Sequence, residues 1–173
     1  MPSNTFLNTF FMLSVLATSA TACASWKLSE PDTVAVHPFL PHPAHVAKVC
    51  VIRASGLQHG VTFVSRDNGV LVGATRGPTY FCYYAEPGEH DLSIEADAWA
   101  SAQLHAQAGG SYYLKEEVAV EGGRVRGLGF WVDEAVARSL VDNAEYAVLV
   151  GAPQPERLPG MLPFAPARLR SAI

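Results

Sequence analysis

A series of short segments rich in β-branched and aromatic residues, separated by glycine turns, constrains the fold most strongly. Asn68–Gly69 stands between the apolar runs at residues 61–65 and 70–74, and both turn residues tolerate positive φ. This arrangement predicts a two-residue hairpin. Pro87–Gly88 is predicted to close a further hairpin, between residues 79–85 and 90–97, and Gly122–Gly123 predicts another turn. The remaining predicted strands are residues 46–53, 79–85, 90–97, 111–120, 124–131 and 146–150.

A helical period appears late in the chain. Asp133 is a suitable N-cap, and the negative charge of Glu134 is favourable near a helix N-terminus. An apolar stripe follows at Val136, Leu140 and Val141. With 173 residues, the chain is long enough for one domain with a hydrophobic core. We therefore predict a mainly β domain over residues 46–150: a small antiparallel β-sandwich or partly open barrel with one short C-terminal helix.

The N-terminus has the order of a secretory signal. Residues 1–22 contain no charged side chain, and an apolar run at 10–17 is followed by small residues. The apolar run is too short to span a bilayer comfortably. Ala20, Thr21 and Ala22 directly precede Cys23, an order that resembles the lipobox of bacterial lipoproteins. That resemblance implies cleavage before Cys23 and lipidation of its thiol, whereas an ordinary A-x-A cleavage site would leave Cys23 unmodified.

Proline-rich segments lie on both sides of the predicted domain. Residues 23–45 carry four prolines without a sustained period, which predicts an extended tether or an irregular lead-in to the domain. Residues 151–173 are again rich in proline, which predicts an irregular tail.

Several motifs of the core resemble those of one family. The matching segments are a strand ending in arginine at residues 49–53, the aromatic and turn segment 80–90, residues 109–114, and the helix start at 132–140. Together they resemble the DUF2846 group of small bacterial envelope proteins, many of which are predicted lipoproteins. The resemblance covers residues 46–150 and implies a β-domain in the cell envelope. It implies no chemistry, because the family has no assigned activity.

Two cysteines lie within predicted strands. Cys50 is in the first strand and Cys82 is in the aromatic strand. In an oxidising envelope, an even pair in one small domain favours a disulfide. The alternative is two buried free thiols that pack as small apolar groups.

The candidate catalytic and metal-binding residues are scattered. His37, His42 and His45 have a spacing that could bind zinc or copper, but they lie in the proline-rich tether. His90 stands near acidic residues that a hydrolase could use, namely Glu86, Glu89, Asp91, Glu95 and Asp97. We expect no metal, no cofactor and no catalytic residue, with a hydrolase and a histidine-rich metal-binding protein as the alternatives.

Composition and the signal together predict the location. The net charge of −4 and the absence of a basic cluster with interleaved aromatics argue against nucleic acid as a partner. The leading prediction is a non-catalytic outer-membrane lipoprotein that faces the periplasm, anchored to the membrane through Cys23. Its expected partner is an envelope protein or the cell wall. A soluble periplasmic or secreted protein is the alternative.

Overall fold

The computed structural model describes residues 25–153. Its elements are β1 (Lys27–Ser29), β2 (Ala47–Arg53), β3 (Thr62–Asp67), β4 (Val70–Arg76), β5 (Thr79–Ala85), β6 (Gly88–Glu95), β7 (Trp99–Ala106), β8 (Ser111–Glu121), β9 (Arg124–Val132), α1 (Glu134–Val141), β10 (Glu145–Tyr146) and β11 (Val148–Gly151). The signal segment, Cys23 and most of the proline-rich tail lie outside the described residues. No helix within residues 25–153 is long and apolar enough to cross a membrane.

Two main sheets form the domain. One has five strands in the order β10-β5-β2-β8-β9, and the other has four in the order β4-β3-β6-β7. The prediction of a mainly β sandwich with one short helix is confirmed, and the sheets do not close into a barrel. The larger sheet is mixed rather than antiparallel throughout, because β2 pairs with β8, and β10 with β5, in parallel.

The two tightest predicted turns are confirmed. Asn68 and Gly69 have φ angles of 49° and 79° and join the paired residues Asp67 and Val70. Gly122–Gly123 likewise joins β8 to β9 with positive φ at both positions. With positive φ at both residues, each turn has a backbone twist that matches the right-handed twist of the strands it joins.

The turn at Pro87–Gly88 has a different role from the one predicted. Gly88 has a φ of 144°, but β5 pairs with β2 and β10, whereas β6 pairs with β3 and β7. The turn therefore carries the chain from one sheet to the other and does not close a hairpin. The prediction also lacked β7, which pairs with β6 along its whole length.

Strand β2 is buried on both faces, as its nearly continuous apolar sequence predicts. One face contributes Val49 and Val51 to the core between the sheets, opposite Phe63, Leu92 and Ile94. The other face packs under a second apolar cluster on the outer side of the sheet. That outer cluster contains Val36, Cys50, Ile52, Tyr80, Cys82, Tyr113, Ala137 and Tyr146.

Helix α1 covers part of the outer cluster. Asp133 caps the helix as predicted, because its carboxylate accepts a hydrogen bond from the backbone N–H of Val136 at 2.8 Å. Of the predicted apolar stripe, Leu140 and Val141 pack against the outer cluster as predicted, but Val136 does not. Ala137 is fully buried, whereas the Val136 side chain points outward.

The segment before β2 is an irregular lead-in that packs on the domain, and not an extended tether. From residue 25 it lies against the domain: β1 pairs with β11, and Trp26 and Leu28 pack beside Leu149. Val36 is buried in the outer cluster. The reason is that the segment carries apolar side chains between its prolines, and an extended chain can bury them without forming a helix.

Candidate functional site

The predicted disulfide is confirmed. Cys50 and Cys82 face each other across the antiparallel pair β2 and β5 and form a disulfide, with their Cα atoms 4.1 Å apart. Directly opposite residues of such strands approach closely at the positions that do not exchange backbone hydrogen bonds. Sheet register therefore brings together two thiols that are 32 residues apart in sequence.

His90 belongs to a buried hydrogen-bonded cluster. Its Nδ1 lies 2.7 Å from Oδ2 of Asp67, and its Nε2 lies 2.8 Å from the carbonyl oxygen of Glu86. A carbonyl and a carboxylate both accept hydrogen bonds, so both ring nitrogens donate and the ring is an imidazolium. Burial by itself would lower the pKa of His90, but the Glu86 carbonyl and the Asp67 carboxylate together raise it.

Tyr83 completes this cluster. Its hydroxyl donates to Asp67 at 3.0 Å, and burial together with the Asp67 charge raises the pKa of the phenol. The side chain of Asn68 accepts from the backbone N–H of Asp91, which ties the β3–β4 turn to β6. With both nitrogens of His90 donating, its ring has no lone pair that could accept a proton from a substrate.

The acidic residues near His90 in sequence do not converge on it. Glu89 pairs with the exposed His105 at 2.6 Å, and Glu95 accepts from Arg66 at 3.2 Å. Asp97 accepts the backbone N–H of Val125. These three carboxylates therefore have separate partners and do not gather with His90 in one cleft, as the hydrolase alternative would need.

A second buried polar cluster was not predicted. Arg53 is fully buried and donates to the carbonyl oxygens of Leu57, Gln58 and Val61 at 2.7–2.9 Å. Its guanidinium lies 4.2 Å from the centroid of the Phe63 ring. Arg53 thereby fixes the loop between β2 and β3, which explains why the strand ends in this residue.

Glu116 lies in the same interior region. It is 1% exposed, and burial raises its pKa to about 7, although the hydrogen bond from Thr75 and the charge of Arg53 act in the opposite direction. The sequence contains the signal for its burial, because Glu116 lies between Leu114 and Val118 on the same face of β8.

The three clustered histidines take separate roles. The Nδ1 of His37 accepts the backbone N–H of Phe39, and the His42 ring stacks on Tyr84 with centroids 6.0 Å apart. His45 is exposed. Across residues 25–153, no three side chains of histidine, cysteine, aspartate or glutamate are grouped as they would be around a metal ion.

A pocket of about 390 Å³ opens beside this histidine-containing segment, on the outer face of the five-stranded sheet. We call it the Lys48 pocket. It is lined by Phe39, Leu40, Pro41, His42, Ala44, Lys48, Gly109, Ser111, Tyr113 and Glu134. It lies between β2, β8, the start of α1 and the segment that precedes β2.

Lys48 is the buried charge of this pocket. It is 1% exposed, and its Nζ donates to the carbonyl oxygens of Leu40 at 2.7 Å and His37 at 3.2 Å. Burial lowers the pKa of Lys48, and the nearby Glu134 carboxylate acts in the opposite direction. The sequence signal that identifies this site is a lysine within the largely apolar strand at residues 46–53.

The chain matches no family model, no curated protein and no solved structure. The resemblance to the DUF2846 group therefore stays a prediction based on the motifs of residues 46–150.

Proposed function

We propose that this chain is a non-catalytic lipoprotein of the bacterial cell envelope, a β-domain tethered to the membrane that binds a ligand or partner. Its location follows from the signal-like segment 1–22 and the lipobox-like residues before Cys23. The resemblance to DUF2846 envelope proteins points to the same compartment.

The observation that carries the proposal is the Cys50–Cys82 disulfide. Structural disulfides persist in oxidising compartments and are rare where thiols are kept reduced. This one is buried in the outer cluster, with Cys50 fully inaccessible and Cys82 only 7% exposed. A redox-active pair needs access for exchange, so burial favours a structural bond that forms during folding in the envelope.

The position of the first strand supports a short anchor. Lys27 begins β1, which is held to the domain by pairing with β11. Four residue steps separate Cys23 from Lys27, so an acylated Cys23 would hold the domain within about 14 Å of the bilayer surface. The proposed lipoprotein therefore works close to its membrane.

The arrangement of the titratable groups supports a binding role over catalysis. His90 donates from both ring nitrogens, and Glu116 is enclosed between the sheets. Catalytic acids and bases must reach the proton that they transfer. The Lys48 pocket, by contrast, is open and of a size that small ligands occupy.

The test is the intact mass of the chain after expression in a Gram-negative bacterium and extraction from membranes, before and after reduction. We expect a chain that starts at Cys23, carries an acyl adduct and gains the mass of two hydrogen atoms on reduction. The variant Cys23→Ser is the matched control and should appear in the soluble envelope fraction without lipid. A wild-type chain that carries no acyl group would overturn the anchor, and a mass unchanged by reduction would remove the argument for the compartment.

A further inference from the structure

The ammonium of Lys48 is a buried cation that forms no direct ion pair within residues 25–153, although the Glu134 carboxylate acts on it from across the pocket. No carboxylate in the part of the chain that the structure describes forms an ion pair with it. Its two hydrogen-bond acceptors are neutral backbone carbonyls, those of His37 and Leu40. An ammonium has three donors, so one N–H is left without an acceptor among these residues.

This arrangement is costly unless something else accepts that proton. Removing a charge from water is unfavourable, and a buried charge is normally paired or fully hydrogen-bonded. An apolar side chain of similar length would fill the same position on β2 at lower cost. A buried lysine at the wall of an open pocket is therefore a feature expected of a site for an anionic group.

The other walls restrict what kind of anion fits. Phe39, Leu40 and Tyr113 provide apolar surface, and Ser111 provides a hydroxyl beside Lys48, its register partner across β2 and β8. A pocket of about 390 Å³ has room for an apolar group in addition to the charged one.

Glu134 limits the charge of the ligand. Its carboxylate lines the pocket and accepts two hydrogen bonds from Arg138, at 3.0 Å and 2.5 Å. A fixed negative charge at the wall disfavours a multiply charged group such as a phosphate more than a single carboxylate. A ligand that complements all the lining residues therefore carries one negative charge and an apolar group.

We infer that the Lys48 pocket binds the carboxylate of a small, partly apolar ligand, which accepts the third Nζ proton of Lys48. This inference rests on the proposed binding role and names its ligand class. The carboxylate can come from a free small molecule or from the C-terminus of a peptide, since both present the same group.

The test uses the whole secreted chain with Cys23→Ser and follows backbone amide NMR signals during titration. The probes are N-acetylphenylalanine and its uncharged amide. We expect saturable shifts at Gly109 and Ser111 with the acid, and binding at least about tenfold weaker with the amide, because a charge-assisted hydrogen bond is lost. Phe-terminated tripeptides with a free or an amidated C-terminus then distinguish the two sources.

Three variants localise the effect. Lys48→Met keeps an unbranched side chain of similar length, removes the charge and should weaken binding of the acid by about tenfold or more. Glu134→Gln should strengthen it several-fold, because it removes the negative charge from the wall. Lys115→Met is the matched control, since Lys115 lies on neighbouring β8, pairs with Glu117 and does not line the pocket.

Equal binding of acid and amide, saturable shifts confined to other regions, or no saturable binding would each overturn the inference. If Lys48→Met does not fold, the comparison of acid with amide and the Glu134→Gln variant still decide it. The outcome is independent of the mass measurement. A lipidated, disulfide-bonded protein without carboxylate binding would leave the proposed location intact and remove the ligand class.

Discussion

The hydroxyl of Thr75 donates a hydrogen bond to the carboxylate of Glu116 across the interior of the sandwich. Thr75 lies on β4 of the four-stranded sheet and Glu116 on β8 of the five-stranded sheet, and both are buried. The second carboxylate oxygen of Glu116 has no hydrogen-bond partner among the described residues. The two sheets therefore share an ionisable group that water does not reach.

We predict that the free energy of unfolding falls as the pH rises from 4.5 to about 7. Burial raises the pKa of Glu116 from 4.5 to about 7, so between these values the folded chain binds more protons than the unfolded one. The contribution is fully present below pH 4.5 and is lost by pH values above 7, a difference on the order of 3 kcal/mol. Denaturant unfolding at pH 5 and pH 8 measures it.

Glu116→Gln is the matched variant for this measurement. The amide keeps an acceptor for Thr75 and cannot ionise, so the variant should lose much less stability than the wild type between pH 5 and pH 8. His90 also favours the folded state below its raised pKa, which leaves some slope in both proteins. The same pH dependence in wild type and variant would contradict the assignment to Glu116.

We predict that replacing His90 destabilises the domain more than replacing His105. His90→Leu leaves the Asp67 carboxylate buried with Tyr83 as its remaining side-chain partner, and should cost about 3 kcal/mol at neutral pH. His105→Leu breaks a pair of similar length with Glu89, but that pair is exposed and its loss should cost less than about 1 kcal/mol. Equal effects of the two variants would show that the burial of His90 does not matter.

We predict that removing the disulfide strongly lowers the stability of the domain. Replacing both Cys50 and Cys82 by alanine opens a loop of 32 residues, and the chain-entropy model gives a loss of about 4 kcal/mol. Chemical denaturation compares this variant with Cys23→Ala, whose cysteine lies outside the described residues and should leave domain stability unchanged. Wild-type stability in the double variant would mean that sheet packing alone holds β2 to β5.

Local patterns predicted those parts of the fold that depend on neighbouring residues. Asn68–Gly69 and the Asp133 cap have conformations that their own chemistry favours, so the sequence identifies them. Pro87–Gly88 was misassigned because a turn sequence does not specify whether the following strand returns to the same sheet. The parallel pairing of β2 with β8 is likewise a property of the whole fold.

The candidate site was harder to predict than the turns. Lys48, Arg53 and Glu116 are charged residues in strands, and charged strand residues are usually exposed. Their burial depends on what covers each face: the segment before β2 encloses Lys48, and the opposite sheet encloses Glu116. The alternation of apolar and polar residues shows which face of a strand a residue lies on, but it does not show which part of the chain covers that face.

The two sheets are in such close contact at Gly73 that we expect a single added methyl group to lower the stability of the domain. A Cβ added at Gly73 on β4 would overlap the ring of Phe81 on β5; Gly73 is buried, and Phe81 belongs to the core between the sheets. Gly73→Ala should therefore destabilise the domain by about 1–3 kcal/mol, because a well-packed core does not accommodate extra volume. Gly60→Ala is the matched control, since a Cβ there meets nothing within 4 Å and its φ is not positive.

Phe81→Leu supplies the second half of this test. Leucine is smaller than the ring that the new methyl group meets, so Gly73→Ala should cost less in the Phe81→Leu background than in the wild type. Residues in contact show such non-additive effects, whereas distant residues do not. A thermodynamic cycle from denaturant unfolding of the four proteins measures the coupling, and additive effects would mean that the methyl group is accommodated without contact with residue 81.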